Sequence, residues 1–154
     1  MIIETPRCLI RRFTADDADD LYEILSDHDV MAHIEPPFTR KQTQDFIESA
    51  GLCDPPLVYA LIWKETEKLI GHVIFHSYEK DSYEIGWIVN KEYWGQGIAS
   101  EITAALIGYT KKLGISSCII ECDPKQIASI KIAQKYGFVY TDSDDNCSIY
   151  RLIL

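Results

Sequence analysis

Two glycines carry the first chemical hint in this 154-residue chain. They stand in Trp94-Gly95-Gln96-Gly97-Ile98-Ala99, between a β-rich run, Tyr83 to Val89, and a long amphipathic segment from Ile98 to about Leu113. Where a strand hands over to a helix, the first helical turn offers backbone N–H groups without intrahelical partners and the positive end of the macrodipole. Glycine lets a group as bulky as phosphate approach that backbone closely. A tight turn with no ligand explains two glycines equally well. Neither the P-loop spacing nor the G-x-G-x-x-G dinucleotide spacing is present, so a plain nucleotide binder is disfavoured.

The other reactive residue types narrow the choice. The cysteines are Cys8, Cys53, Cys118, Cys122 and Cys147. Their odd number and the lack of a C-x-x-C argue against a disulfide framework or a zinc site, and no metal is expected. Cys118 and Cys122 fall in an apolar, strand-like run and read as core or near-site thiols. The net charge of −9 opposes a nucleic-acid surface, which needs a basic patch, and suits a cationic partner such as an amine or a basic peptide. An anionic cofactor must then be held by local groups. No apolar run has the length to cross a bilayer, and Met1 to Arg7 lacks a signal peptide's apolar stretch. A cytoplasmic protein with no membrane partner is the default expectation.

The elements around the loop can be read from pattern. Length and a hydrophobic content of 47% suit one domain, residues 1–154, with a real core. Arg7 to Phe13 reads as a first strand. Thr14-Ala15-Asp16-Asp17 is a capping box, and Ala18, Leu21, Tyr22 and Leu25 recur at helical spacing to about Ser26. Pro36-Pro37 stops regular structure in the segment from Asp27 to Phe38. A second capping box, Thr39 to Gln42, opens a helix with Thr43, Phe46, Ile47 and Ala50 on one face, ended by Gly51. Leu57 to Trp63, Leu69 to Ser77 and Tyr83 to Val89 read as an antiparallel meander. After the loop, Ile98, Ile102, Ala105, Leu106, Tyr109 and Leu113 form one stripe, with Lys111, Lys112 and Gly114 suited to the helix end. Ser117 to Cys122 reads as a buried strand parallel to the third of the meander, because a helix intervenes. Gln126 to Tyr136 is the last helix. Phe138 to Thr141 and Ser148 to Leu154 are the final strands, joined by an acidic turn over 142–146.

The glycine loop resembles the acetyl-coenzyme A loop of the GNAT acetyltransferase superfamily, roughly [QR]-x-x-G-x-[GA]. Trp94 stands at its first position, and Tyr93 to Glu101 is similar to the variant of the branch containing the ribosomal-protein N-terminal acetyltransferases. A second stretch, Asp123 to Phe138, resembles the family's N-x-x-S-x-x-x-x-x-[KR]-x-G-F signature. Ser129, Lys135, Gly137 and Phe138 match it, and Gln126 stands where Asn is usual. Thr5 to Phe13 and Ser26 to Met31 also look like that branch, so the resemblance covers nearly the whole chain. It implies an α/β, single-domain GNAT-like fold, with a mixed, largely antiparallel sheet of about seven strands flanked by about four helices. The implied cosubstrate is acetyl-CoA, and the implied acceptor is a small-molecule or peptide amine. A homodimer is compatible with the resemblance.

In that family the acetyl group passes directly from thioester to amine. An alkylammonium, with a pKa near 10.4, must lose a proton before it attacks. The oxyanion needs a donor, and the departing thiolate benefits from an acid. The resemblance makes Glu84 the favoured base, with His76 a rival; a structural or charge-pairing carboxylate is the plainer reading of Glu84. Donors to the thioester carbonyl are expected among the N–H groups near Trp87 and Ile88, where the family bulges its strand, with Val89 adjoining. Pyrophosphate is expected on the amides of Gly95, Gln96, Gly97, Ile98 and Ala99. Lys91 or Lys131 is a candidate for added charge. Gln126 is expected to position the pantetheine or the loop. Ser129 is a candidate donor to the sulfur; many relatives carry a Tyr four residues beyond that Ser, where this chain has Ala133. Glu101 reads as structural. His33, Glu35 and Phe38 are the candidates for acceptor contacts. The rival reading from another class is a non-catalytic acyl-CoA-binding regulatory module.

Overall fold

The computed structural model describes residues 1–144 and 146–154. The described residues form eight strands in one sheet: β1 (Ile3–Glu4), β2 (Cys8–Arg11), β3 (Val58–Trp63), β4 (Lys68–Glu79), β5 (Ser82–Val89), β6 (Ser117–Cys122), β7 (Val139–Asp144) and β8 (Cys147–Ile153). Five α-helices accompany them: α1 (Ala18–Leu25), α2 (His28–Met31), α3 (Arg40–Phe46), α4 (Ile98–Lys112) and α5 (Ile127–Lys135). The sheet order is β1-β2-β3-β4-β5-β6-β8-β7. Every neighbouring pair is antiparallel except β5 and β6, which α4 connects. A parallel pair requires such a crossover. No helix among the described residues is long and apolar enough to cross a membrane.

Two apolar layers sandwich the sheet. On one face Ile98, Ile102 and Leu106 of α4 and Ala133 of α5 pack on Ile85, Val89, Cys118 and Cys122. On the other, Leu21, Ile24 and Leu25 of α1, with Ile47, cover Ala60, Ile62 and Leu69. Both capping boxes form. Thr39 accepts from the Gln42 amide at 3.1 Å, and Gln42 accepts from the Thr39 amide at 2.8 Å. Asp17 accepts from the Thr14 amide at 2.8 Å and takes a two-pronged bond from Arg11 at 2.8 and 2.9 Å.

Burial alone pushes the Asp17 carboxyl up. The Arg11 fork and the Thr14 amide outweigh it and hold Asp17 below its ordinary range. A carboxyl depressed on folding contributes stability above its unfolded value, near 4, and loses that contribution as pH falls through its folded value. Asp17→Asn is therefore expected to cost about 2 kcal/mol at neutral pH and to flatten the acid limb of stability, as urea titrations at pH 7 and pH 3 will show.

The sheet departs from expectation in four places. Strand β1 is only two residues long, too short to leave a pattern. Helix α2 occupies part of the segment expected to be irregular; Asp27 caps it by accepting from the Asp29 and Val30 amides, and Val30 and Met31 are buried. Strand β7 runs through Asp144, so residues 142–144 of the expected acidic turn are strand, and Asp145 lies outside the described residues. The bulge expected at Trp87–Ile88 is absent, since the β4–β5 register runs unbroken from Gly71 opposite Val89 to Ser77 opposite Tyr83. A shift occurs only beyond it, between Ser77 and Glu79.

Close approach explains one glycine in that ladder. A Cβ at Gly71 would lie 2.1 Å from the Ile88 carbonyl oxygen, and backbone cannot swing away as a side chain can. Gly71→Ala is expected to cost on the order of 3 kcal/mol, a fall of roughly 10 °C in melting midpoint for a chain of this size. Scanning calorimetry tests it; an unchanged midpoint means the strands part without cost.

Candidate active site

The site is built where β5 and β6 separate. Their register holds for three pairs, Ser82 with Ser117, Tyr83 with Cys118 and Glu84 with Ile119, and then stops. The rest of β5 keeps β4 on one side and loses its neighbour on the other. The Asn90 amide donates to the Ile70 carbonyl at 2.7 Å. Backbone groups alternate along an antiparallel ladder, so Ile88 and Gly86 also turn their amides to β4, and Trp87 turns its amide into the gap.

Beyond β5 the chain makes a short turn, Lys91–Tyr93, capped by the Asn90 side chain on the Glu92 amide at 3.0 Å. The Trp94 indole N–H then donates to the Val89 carbonyl at 2.8 Å, tying the loop to the strand end. Gly95 and Gly97 have φ of +75° and +78°, a region other residues enter at a cost. Gly97 is the N-cap of α4, so the amides of Ile98, Ala99 and Ser100 lack helical acceptors.

These amides open on a cleft of about 760 Å³ between α4 and α5. Trp87, Ile88 and Val89 line its strand side; Trp94, Gly95, Gly97, Ile98 and Ala99 line its loop side; Gln126 and Ser129 line it from α5. Gln126 also accepts from the Asp123 amide at 2.8 Å, shaping the turn into α5. Gln96 does not line the cleft; its carbonyl accepts from Arg7 Nη1 at 2.8 Å on the other side of the loop. Lys91 is engaged elsewhere, bridging Asp27 at 2.9 Å and Asp29 at 3.2 Å. Lys131, Lys125 and Lys135 do line the cleft. Lys135 donates to the Ser100 hydroxyl at 2.7 Å.

A second cleft, of about 880 Å³, lies between the segment after α2 and the β7–β8 hairpin. Glu35 and Cys147 line it, and His33, with Ala32, Ile34 and Lys125, lines both clefts. Phe38 lines neither. Its ring packs edge-on against Phe46, 6.0 Å between centroids, beneath α3.

Glu84 also lies outside both clefts, at the last paired position before β5 and β6 diverge. It shares its sheet face with Ile88, and Trp87 and Val89 face α4. The His76 Nε2 is 3.2 Å from Glu84 Oε2, and its Nδ1 is 2.9 Å from the Ser77 carbonyl oxygen. A carbonyl only accepts, so Nδ1 carries hydrogen and Nε2 faces the carboxylate. The Glu84 bond, offset in part by burial and aided by Ser77, raises the His76 pKa above its ordinary value. Beside the pair, Tyr78 is pushed up to about 12 by its hydrogen bond to Glu121.

Residues 7–139 match the family model described as an acetyltransferase (GNAT) domain. This chain belongs to the GNAT acetyltransferase family. An uncharacterized N-acetyltransferase, YnaD, of Bacillus subtilis (strain 168) is 35% identical over 140 residues, covering 89% of this GNAT chain and 82% of that relative. The crystal structure of a GNAT-family acetyltransferase from Bacillus anthracis superposes with a TM-score of 0.89 at 29% identity, over 99% of this chain and 98% of the other. A RimL ribosomal L7/L12 alpha-N-protein acetyltransferase in complex with coenzyme A shares the fold, with a TM-score of 0.85 at 17% identity over 100% and 98% of the two chains.

The walls and supports of the first cleft also include residues that no sequence pattern singles out. Arg7 holds Gln96 from 89 positions away. Asp29, Val30, Ala32 and Ile34 wall the first cleft because α2 turns that segment toward the glycine loop. No motif spans such separations.

Proposed function

We propose that this GNAT chain is a cytoplasmic acetyl-CoA-dependent N-acetyltransferase that passes the acetyl group directly to a primary amine, a peptide N-terminus or a small amine. The observation that carries the reading is the junction at the β5–β6 gap. Unpartnered helix N–H groups stand at one end of the first cleft, a free strand amide lies along it, and a carboxylate–imidazole pair sits on the opposite face of the same strand.

The residues present suit the cosubstrate. The first-turn amides with Gly95 and Gly97 form a site for pyrophosphate, and the lysines along the cleft offset the chain's negative field. The pantetheine arm then runs between β5 and α5, past Gln126. The Trp87 amide, turned into the gap, is the donor for the thioester oxygen as negative charge develops there. Ser129, on the wall of the same cleft, is the donor to the departing sulfur in this reading. The acceptor enters through the second cleft, past His33 and Glu35.

Glu84 and His76 act as one proton-accepting unit. Glu84 lies three residues from Trp87, about 10 Å along the strand, so the ammonium proton reaches it through water. The two groups face each other as acceptors unless a proton lies between them, and the pair that has lost that proton is the base. His76 therefore sets the pH above which the base is available, and Glu84 raises it.

The test is thiol release from acetyl-CoA over a panel of amines and peptides, with a calorimetric titration of coenzyme A. Binding with acceptor-dependent release supports the enzyme. Binding with no release on any acceptor points to the regulatory module. Absence of binding overturns the reading of the glycine loop.

A further inference from the structure

We infer that Arg7 is a positioning residue for the phosphate-binding loop, turning the Gly97 amide into the cleft by holding the Gln96 carbonyl behind it. The inference rests on the reading of that loop as the coenzyme A site.

Arg7 lies between β1 and β2, far in sequence from the loop. Its backbone N–H donates to Glu101 Oε2 at 3.1 Å, its Nε to Glu101 Oε1 at 2.9 Å, and its Nη1 to the Gln96 carbonyl at 2.8 Å. The Thr5 hydroxyl donates to Glu101 Oε2 at 2.6 Å. Glu101 is thus fixed by three donors, and it fixes the guanidinium in turn. Burial pushes the Glu101 carboxyl up, but Thr5 and Arg7 together hold it below its ordinary value, so it stays charged. The guanidinium also stands 5.9 Å from the Trp63 ring centre. Its direction is set from the sheet, from α4 and from β3.

That direction matters because a trans peptide is planar. Its carbonyl and the following N–H point opposite ways. Gln96 is absent from the cleft wall, and Gly97 is part of it. A carbonyl pinned on the far side by Arg7 therefore leaves the Gly97 N–H on the cleft side. The glycines on both sides of Gln96 give this peptide unusual rotational freedom, which the Arg7 bond removes. Arg7 also brings a cation behind the loop; its Nη2 is 3.8 Å from where a Gly97 Cβ would lie.

A purely structural Arg7 predicts something else. Its pair with Glu101 is 37% exposed on the arginine side, and ion pairs of that kind add little stability. Its loss would then leave ligand preference unchanged.

The experiment compares Arg7→Gln and Arg7→Lys with wild type in calorimetric titrations of coenzyme A and of pantetheine at millimolar concentration, pantetheine having the same arm and no pyrophosphate. Both variants are expected to lose about 10- to 100-fold in coenzyme A affinity, the range of one charge-assisted hydrogen bond, with pantetheine affinity within about twofold of wild type. Arg7→Lys tests geometry apart from folding: one ammonium can meet Glu101, keeping the melting temperature, but cannot also hold Gln96. Unchanged coenzyme A affinity in either variant overturns the inference, as does an equal loss for both ligands. A wild-type protein that fails to bind coenzyme A overturns the functional reading beneath it.

Discussion

Gly97→Trp is expected to abolish coenzyme A binding while the protein stays folded. Two effects separate in this variant. The first is backbone strain: at φ +78° a side-chain-bearing residue costs about 1–2 kcal/mol, which lowers the melting midpoint by roughly 3–8 °C. The second is displacement. A Cβ at Gly97 would lie 3.8 Å from Arg7 Nη2, so an indole there pushes away the guanidinium that holds the loop and disturbs the first-turn amides that a phosphate needs at the start of α4. Loss of contacts to two phosphates is expected to exceed 100-fold in affinity. Gly114→Ala provides the control. Gly114 has φ +75° and sits beyond the other end of α4. It is expected to show comparable strain with coenzyme A affinity intact. Titration calorimetry and thermal melts of both variants decide it: undiminished binding by Gly97→Trp refutes the loop assignment.

Glu84→Gln is expected to lower turnover about 100-fold, the scale of a positioned general base, with coenzyme A affinity within twofold of wild type. The amide keeps the shape and a hydrogen-bonding group toward His76 but cannot accept the proton. The pH profile is the sharper signature. In wild type the basic form of the pair appears as pH rises past a His76 value lying above its ordinary 6.5. The Glu84 bond is the largest cause of that elevation. Without it the alkaline-rising limb of kcat/KM moves to lower pH even as the plateau falls. A fall in turnover with the limb unmoved removes His76 from the pair's role, and undiminished turnover places the base elsewhere.

What could be read in the sequence was what local chemistry determines. Thr39 and Gln42 stand three apart with the donors and acceptors a helix start lacks, and they cap α3 as that spacing requires. The glycines between β5 and α4 have the left-handed φ that favours glycine. Other features depend on the assembled fold. The first half of β7 reads as strand, but its continuation over 142–144 is exposed and carries Asp142 and Asp144, with no alternation to betray a strand; its order there comes from pairing with β8. Phe38 stands in a loop rich in candidate contact residues, yet Phe46 claims its ring. Lys91 looked like a phosphate partner by proximity in sequence, but Asp27 and Asp29, brought alongside by the fold, neutralise it. The Arg7–Glu101 clamp joins residues 94 apart. Neither partner is unusual alone, and only the packing of the first strands against α4 makes them a unit.

Residues 32–34 are wall to both clefts, and Lys91 straps the helix before them to the glycine loop. Two binding events that share a partition cannot be energetically independent when either one moves it. Whatever factor the donor adds to acceptor affinity through that wall, the acceptor must return to the donor in equal measure. Donor and acceptor dissociation constants measured singly and in the presence of the other will therefore differ by one common ratio, and that ratio is the coupling free energy between the two clefts expressed as cooperativity.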